Sequence, residues 1–415
     1  MRLGVQDAVL PAGAARTAVL RPPPRHAEAE APAFLGWQVV AGAFLVTMVG
    51  YGAIYSYGAF AEEIAAEFGS TRSAVTLTYV LSGSSCFFVS AISGPLADRV
   101  GARAMAACGM MLVGLGLLVA ATARSLVEVH AGYGLLIGIG CGFAYVPALA
   151  AVQRWFAAHR GLASGLAVSG VGIGTALVPP AAEALSAFGD WRVAFAACGG
   201  LAAAVGLCGA MLLHPAPGEP RAPREQGVAG FGPELRSRAF AMAWGGTLLV
   251  SVPMTLPYAM LVATARDLGL ARGDAVALLG LVGLGSIAGR FLLAAVADAV
   301  GRHATLTFCC GGVAASMVLW ALARELVALQ AFALAFGALQ GGVVALLPPV
   351  IADRFGSGAL GGVLGMLYTS RGVALLVAPP AFAFGIAALP GSALPLLAGA
   401  AAGAAGTLLL AGLRR

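Results

Sequence analysis

A chain of 415 residues that is 60% hydrophobic and only 10% charged does not fit a water-soluble globular protein, where about 25% of residues are charged, and reads as an integral membrane protein. All 24 basic residues are arginine and the formal charge is +6; the excess follows membrane topology and argues against nucleic acid as a partner. With no lysine anywhere, the chain has no GxxxxGK[ST] loop, which excludes transport driven by its own ATP hydrolysis.

Residues 1–34 carry Pro11, Pro22, Pro23, Pro24 and Pro32 and no apolar core of signal-peptide length. They read as a disordered cytoplasmic tail, or equally as the product of an early start codon. Apolar runs of about the 20 residues a spanning helix needs then lie near 36–60, 73–97, 104–122, 129–152, 161–186, 192–213, 238–264, 275–298, 304–322, 326–351, 358–386 and 391–412. They are continuous and not alternating, so they predict helices and not barrel strands, each helix satisfying its own backbone in lipid. The expected architecture is all-α: a six-helix bundle over 35–213, a cytoplasmic linker over 214–236 rich in Pro, Gly and Arg, and a second six-helix bundle over 237–413. With the N-terminus inside, sixteen arginines fall in cytoplasmic segments, six outside and two within the membrane. Both termini are therefore expected in the cytoplasm.

The first run ends in VGYGAIYSYGAF, where Tyr51 and Tyr55 are four apart and share a helix face. Their hydroxyls face either a common cavity or an aromatic belt at the membrane surface. Tyr57, flanked by Ser56 and Gly58, is placed on the cavity, and Glu62, Glu63 and Glu67 follow in the expected first external loop. The seven cysteines and five histidines show no metal-ligand spacing, so no metal or cofactor is expected.

Between runs two and three lies GPLADRVGAR, Gly94 to Arg103, a short turn with an Asp before a Gly and two flanking arginines. Such a turn suits a charge-linked latch between neighbouring helices. The pattern resembles the loop signature of the major facilitator superfamily, whose fold has twelve helices in two homologous bundles. The resemblance implies a gating role for Asp98, Arg99, Gly101 and Arg103. A shift of 200 residues aligns Asp98 with Asp298, Gly101 with Gly301, Arg154 with Arg354 and Pro179-Pro180 with Pro379-Pro380. Two repeats in the same orientation follow, and the second-half counterparts Asp298, Gly301 and Arg302 join the expected gate.

Two arginines break the repeat: Arg290 faces Ser90 and Arg371 faces Val171. Each lies inside an apolar run, roughly 12 Å and 15 Å from the cytoplasmic end at about 1.5 Å per residue. A buried charge at that depth costs at least about 2.5–3.5 kcal/mol and is by default a functional site. The runs hold hardly any acid to pair with them; Glu183, near the outer end of the fifth, is the one candidate, and Asp298 points toward the cytoplasm. A carboxylate between them would give each a forked, charge-assisted partner. Tyr145 and Tyr368 are expected on the same cavity, Tyr368 because it precedes Arg371 by three residues.

Arg290, GMLYTSRG (Gly365 to Gly372) and RGLASGLAVSGVGIG (Arg160 to Gly174) together resemble the oxalate–formate antiporter and monocarboxylate transporter branch. In that branch basic residues in helices 8 and 11 hold carboxylates, which the resemblance implies for Arg290 and Arg371. Two positions depart from it. Arg371 stands where the antiporters have Lys, and Ser286 stands one turn before Arg290 where animal monocarboxylate transporters have an Asp, which removes an Asp–Arg proton relay. The expected function is transport of a small organic anion, a monocarboxylate or an oxalate-like dicarboxylate, coupled to protons or to a counter-anion, by a monomer in the cell membrane (the inner membrane if Gram-negative). Efflux of amphiphilic compounds is the competing reading within transport. A membrane sensor has no appended signalling domain to support it, and no nucleophile–base or metal constellation supports an enzyme.

Overall fold

The computed structural model of the protein describes residues 34–156, 158–186, 188–217, 233–356, 360–388 and 393–414. The expected tail up to residue 33, linker residues 218–232 and the side chain of Glu183 lie outside the described residues. Among the described residues, twelve helices are long and apolar enough to cross a membrane. They are α1 (Gly36–Glu67), α2 (Arg72–Val100), α3 (Ala102–Ala121), α4 (Leu126–Trp155), α5 (Arg160–Ser186), α6 (Trp191–Met211), α7 (Arg238–Asp267), α8 (Arg272–Val300), α9 (Arg302–Leu322), α10 (Leu326–Phe355), α11 (Leu360–Ala388) and α12 (Leu394–Ala411).

The internal repeat reappears as packing. Helix α1 lies against α5, α2 against α4 and α3 against α6; in the second half α7 lies against α11, α8 against α10 and α9 against α12. The halves meet along α2 with α11 and α5 with α8. Lipid offers helices no hydrophobic gain from pairing, so contact there depends on small residues that let backbones approach. Gly94 and Gly361 are one such place: a Cβ on either would collide with the other's carbonyl oxygen.

Two elements differ from the sequence reading. The Asp98 turn is tighter than a loop: Asp98 and Arg99 sit in the last turn of α2, and Gly101 alone, at φ 99°, links α2 to α3. Gly301 repeats this at φ 121°, a region open to glycine at little cost and to other residues only with strain. Helix α1 also outruns its apolar segment through Glu67, because EEIAAE continues with strong helix formers. Glu63 and Glu67 are therefore on the last turns of α1 and not in a loop.

At that end Glu67 clips α1 to α6. Its carboxylate accepts from Trp191 Nε1 (2.7 Å) and Arg192 Nη1 (2.8 Å), and the Arg192 guanidinium lies 4.2 Å from the Trp191 ring centroid. The hydrogen bond from Arg192 holds the Glu67 carboxyl below its ordinary pKa. A carboxylate with a depressed folded-state pKa stabilises above its unfolded pKa and loses that contribution as pH falls through the folded value. Glu67→Gln is therefore expected to unfold at lower temperature than the parent near pH 7. The gap should close as pH falls below about 4, as thermal unfolding across pH will show.

Candidate functional site

Arg290 lies on α8 where it faces α5 of the other half. It is 5% exposed, and its Nε and Nη1 have no hydrogen-bond partner. Gly172 on α5 makes the room: a Cβ there would sit 2.7 Å from Arg290 Nη1. Buried polar groups are nearly always satisfied, and one that is not calls for an explanation such as a missing ligand. Tyr258, Tyr145, Tyr55 and Arg371 lie within electrostatic reach of Arg290, and none of these is a carboxylate. No ion pair among the described residues includes Arg290 or Arg371. Ser286, one turn before Arg290, is 4% exposed with an unpartnered Oγ, so the position that an acid would need for a relay holds a neutral hydroxyl.

Arg371 on α11 is flanked by rings. Its guanidinium carbon is 5.5 Å from the Phe87 centroid and 5.7 Å from that of Tyr368, close enough for the ring quadrupoles to offset part of the charge. From Tyr368 the aromatic wall continues to Tyr145 (5.7 Å between centroids), Tyr51 (5.1 Å) and Tyr55 (6.3 Å), then to Tyr79 on α2 (5.9 Å). The Tyr368 hydroxyl faces Tyr145 and Arg371 without a well-formed hydrogen bond to either. Opposite, Tyr258 on α7 donates to Gln340 Oε1 on α10 at 2.9 Å. The result is two guanidinium groups inside a wall of tyrosine hydroxyls, drawn from both halves of the chain. It can hold an anion by charge and by several hydrogen bonds at once.

Of the residues expected on this cavity, the structure brings together Arg290, Arg371, Tyr145 and Tyr368. Tyr57 is placed elsewhere. It is 2% exposed within the first half, where its hydroxyl donates to Thr78 Oγ1 (2.9 Å), itself 2.7 Å from His130 Nδ1, and its ring lies 4.9 Å from that of Tyr133. The reason is helical geometry: two residues along a helix turn the side chain to nearly the opposite face, so with Tyr55 facing the arginines Tyr57 faces away. Tyr79, Tyr258 and Gln340 are the residues that sequence reasoning missed. A lone tyrosine in an apolar run has no local mark, and only the packing of α2, α7 and α10 brings them in. Tyr57→Phe is expected to leave anion affinity within about twofold while costing about 1 kcal/mol of stability from the lost hydrogen bond. Ligand competition alongside thermal unfolding separates the two effects.

The gate residues gather at one end of the bundle. Asp98 accepts from the backbone N–H of Gly361 (3.2 Å) and Gly362 (2.9 Å), the first turn of α11, and from Arg154 on α4. Asp298 accepts from Gly161 (3.0 Å) and Leu162 (2.9 Å) at the start of α5, and from Arg302 Nε (2.9 Å). Arg302 also bonds Asp353 (2.9 Å), which takes Arg160 of the other half at 2.6 Å. Each Asp thus caps the N-terminus of a helix in the opposite half, where free N–H groups and the helix dipole favour a negative charge. The motif arginines take different partners. The arginine on Asp98 is Arg154, and Arg103 of the motif turns instead to His214, donating to Nδ1 at 2.8 Å. Arg99 lies exposed in the last turn of α2.

The family model for the Major Facilitator Superfamily matches residues 43–379. The chain belongs to that superfamily. Within it, the chain is 33% identical over 328 residues to monocarboxylate transporter 11 of Mus musculus, covering 78% of this chain and 68% of that one. It is 30% identical over 356 residues to monocarboxylate transporter 13 of Rattus norvegicus, covering 83% and 81%. Among solved structures, the superfamily transporter FucP in its outward conformation superposes with TM-score 0.74 at 16% identity, over 90% of this chain and 98% of that one. The human organic anion transporter MFSD10 does so with TM-score 0.70 at 17% identity, over 90% and 99%. At such identities these likenesses bear on the fold. The chain is a multi-pass membrane transporter and not an enzyme.

Proposed function

We propose that this superfamily member is a secondary active transporter of a small monocarboxylate, moved by proton symport or by exchange against a second anion. The observation that carries the reading is Arg290, buried with two unpartnered donor nitrogens beside Arg371 in a tyrosine wall. That the relatives it resembles are named monocarboxylate transporters supports the same substrate class. Two guanidinium groups with no carboxylate of the protein on them, among the described residues, also favour a second reading, a dicarboxylate that neutralises both. Uncharged or cationic amphiphiles fit such a site poorly, because they leave both charges buried without a counter-charge.

Bonds between the halves cluster at the Asp98 end and hold the bundle together there. With the arginine-rich segments and both termini in the cytoplasm, that end is the cytoplasmic one in this reading. The two six-helix bundles, 35–213 and 237–413, then rock about the bound anion once the Asp98 and Asp298 caps release. Counterflow in proteoliposomes against a panel of short mono- and dicarboxylates tests the reading. Exchange of a labelled monocarboxylate supports it, preference for dicarboxylates selects the second reading, and no carboxylate exchange rejects both.

A further inference from the structure

The arginines account for one end of a bound carboxylate, and the rings around them bear on the other end. Tyr51, Tyr55, Tyr79, Tyr145, Tyr258 and Tyr368, six of the eight tyrosines in the chain, stand about this space. They divide by burial. Tyr368 and Tyr145 are 0% and 3% exposed and form the packed part of the wall beside Arg371. Tyr51, Tyr55 and Tyr79 are half-buried, and Tyr258 is 41% exposed. The Tyr258 hydroxyl donates to Gln340 on α10, and Tyr55 on α1, Arg290 on α8 and Arg371 on α11 lie within its electrostatic reach. Its open ring area therefore faces the space between the halves and not lipid.

The accessible rings extend the wall along one face of α1. Tyr51 and Tyr55 are one helical turn apart, with centroids 6.3 Å apart and planes inclined by 30°, a span close to the length of a benzoate ion. Tyr145 meets Tyr51 edge-on at 69°, and Tyr79 continues from Tyr55 at 42°. Such a lining offers a guest both ring faces and ring edges. A saturated hydrocarbon gains only burial against it, having no quadrupole to set against the rings. An aromatic ring also gains offset-stacked or edge-to-face contact, each good pair strengthening binding roughly 2- to 12-fold beyond area burial.

We propose that the transported anion is an aromatic monocarboxylate, with its carboxylate on Arg290 and Arg371 and its ring against Tyr51, Tyr55 and Tyr258. This rests on the carboxylate reading above and narrows it to a chemical class. Both arginines belong to the second half, whereas Tyr51 and Tyr55 belong to the first. The ring thus places the substrate across both halves, which are the parts that must move around it.

The test is equilibrium binding of labelled benzoate to the purified full-length protein at about pH 7.5, where carboxylates are ionised, with cyclohexanecarboxylate, propionate and benzamide as competitors. Benzoate and cyclohexanecarboxylate share carbon skeleton and charge, and the saturated acid is the more apolar, so burial alone would not favour benzoate. The expected result is saturable benzoate binding at least about fivefold stronger than that of cyclohexanecarboxylate. Benzamide, which keeps the ring without the charge, should bind far more weakly. Tyr258→Leu should bring the two acids to within about twofold of each other, and Tyr258→Phe should keep the preference. Equal competition by the two acids in the parent protein, which needs no variant, overturns the aromatic class and leaves the carboxylate reading standing. So does an unchanged preference in Tyr258→Leu, or binding of labelled propionate without binding of benzoate. Failure of every carboxylate to bind, or benzamide binding as tightly as benzoate, overturns the carboxylate reading itself and the aromatic class with it.

Discussion

Replacement of Arg290 by Gln is expected to lower carboxylate affinity by roughly 10- to 150-fold in protein that still folds and inserts. The range follows from losing one charge-assisted hydrogen-bonding group, about 1.5–3 kcal/mol. Two features place Arg290 on the substrate and not in the scaffold. Its Nε and Nη1 bond nothing, so no structural ion pair among the described residues breaks when it is removed. Arg371 acts on it as a like charge, and removing one of two like charges relieves repulsion. The variant should therefore unfold at the same temperature as the parent or higher while binding worse, a combination that a structural arginine would not give. Arg371 should behave differently. With its guanidinium beside Phe87 and Tyr368, Arg371→Lys keeps the charge and a cation–π contact and loses only the fork, so it should be milder than Arg371→Gln. Arg290→Lys should be the more damaging of the two lysine variants, since Gly172 leaves a slot shaped for a planar group. The measurement is equilibrium competition and initial uptake in proteoliposomes. Parent-like uptake by both glutamine variants would return the arginines to a structural role and remove the proposed transport mechanism with them.

How much of this could be read from the chain depends on how local each signal is. The helices follow from apolar length, the repeat from matching residues at one offset, and Arg290 and Arg371 from the cost of a charge in an apolar run. These are properties of single segments, and the structure has them where the sequence puts them. Tyr57 was misplaced because its polar neighbours Ser56 and Gly58 say nothing about which face of α1 turns to the cavity; the four-residue spacing of Tyr51 and Tyr55 put those two on one face and left that face open between cavity and membrane surface. Arg103 was assigned to the latch from its place in the motif. Its geometry is set by His214, 111 residues away, and Asp98 takes its arginine from α4. Tyr258 and Gln340 come from helices 82 residues apart, and no local pattern joins them. Contacts of that kind become visible only when the helices are packed.

The second large effect is expected at Asp98. Its carboxylate holds the first turn of α11 through two backbone N–H groups and takes Arg154 from its own half, so it joins the halves through a helix terminus and not through a side-chain ion pair alone. Asp98→Asn is nearly isosteric but removes the charge from a capped helix N-terminus and sets an amide donor among existing donors. Losing bonds to a charged group weakens the closed arrangement of that end by about 1.5–3 kcal/mol, or roughly 10- to 150-fold in the equilibrium between states. Asp298→Asn should act in the same direction through α5, and the two should add, since they anchor different helices and share no partner among their bonds described above. In either variant Arg302 stays tied to Asp353, which still holds Arg160 of the other half. Spin labels on Val100 and Val300, both exposed at this end, in a cysteine-free background would report the opening as growth of a longer-distance population. The order in which carboxylates compete should not change, because the arginines lie in the middle of their helices, far from the caps. An unchanged distance distribution, or an altered competition order with no opening, would dissociate Asp98 from the gate.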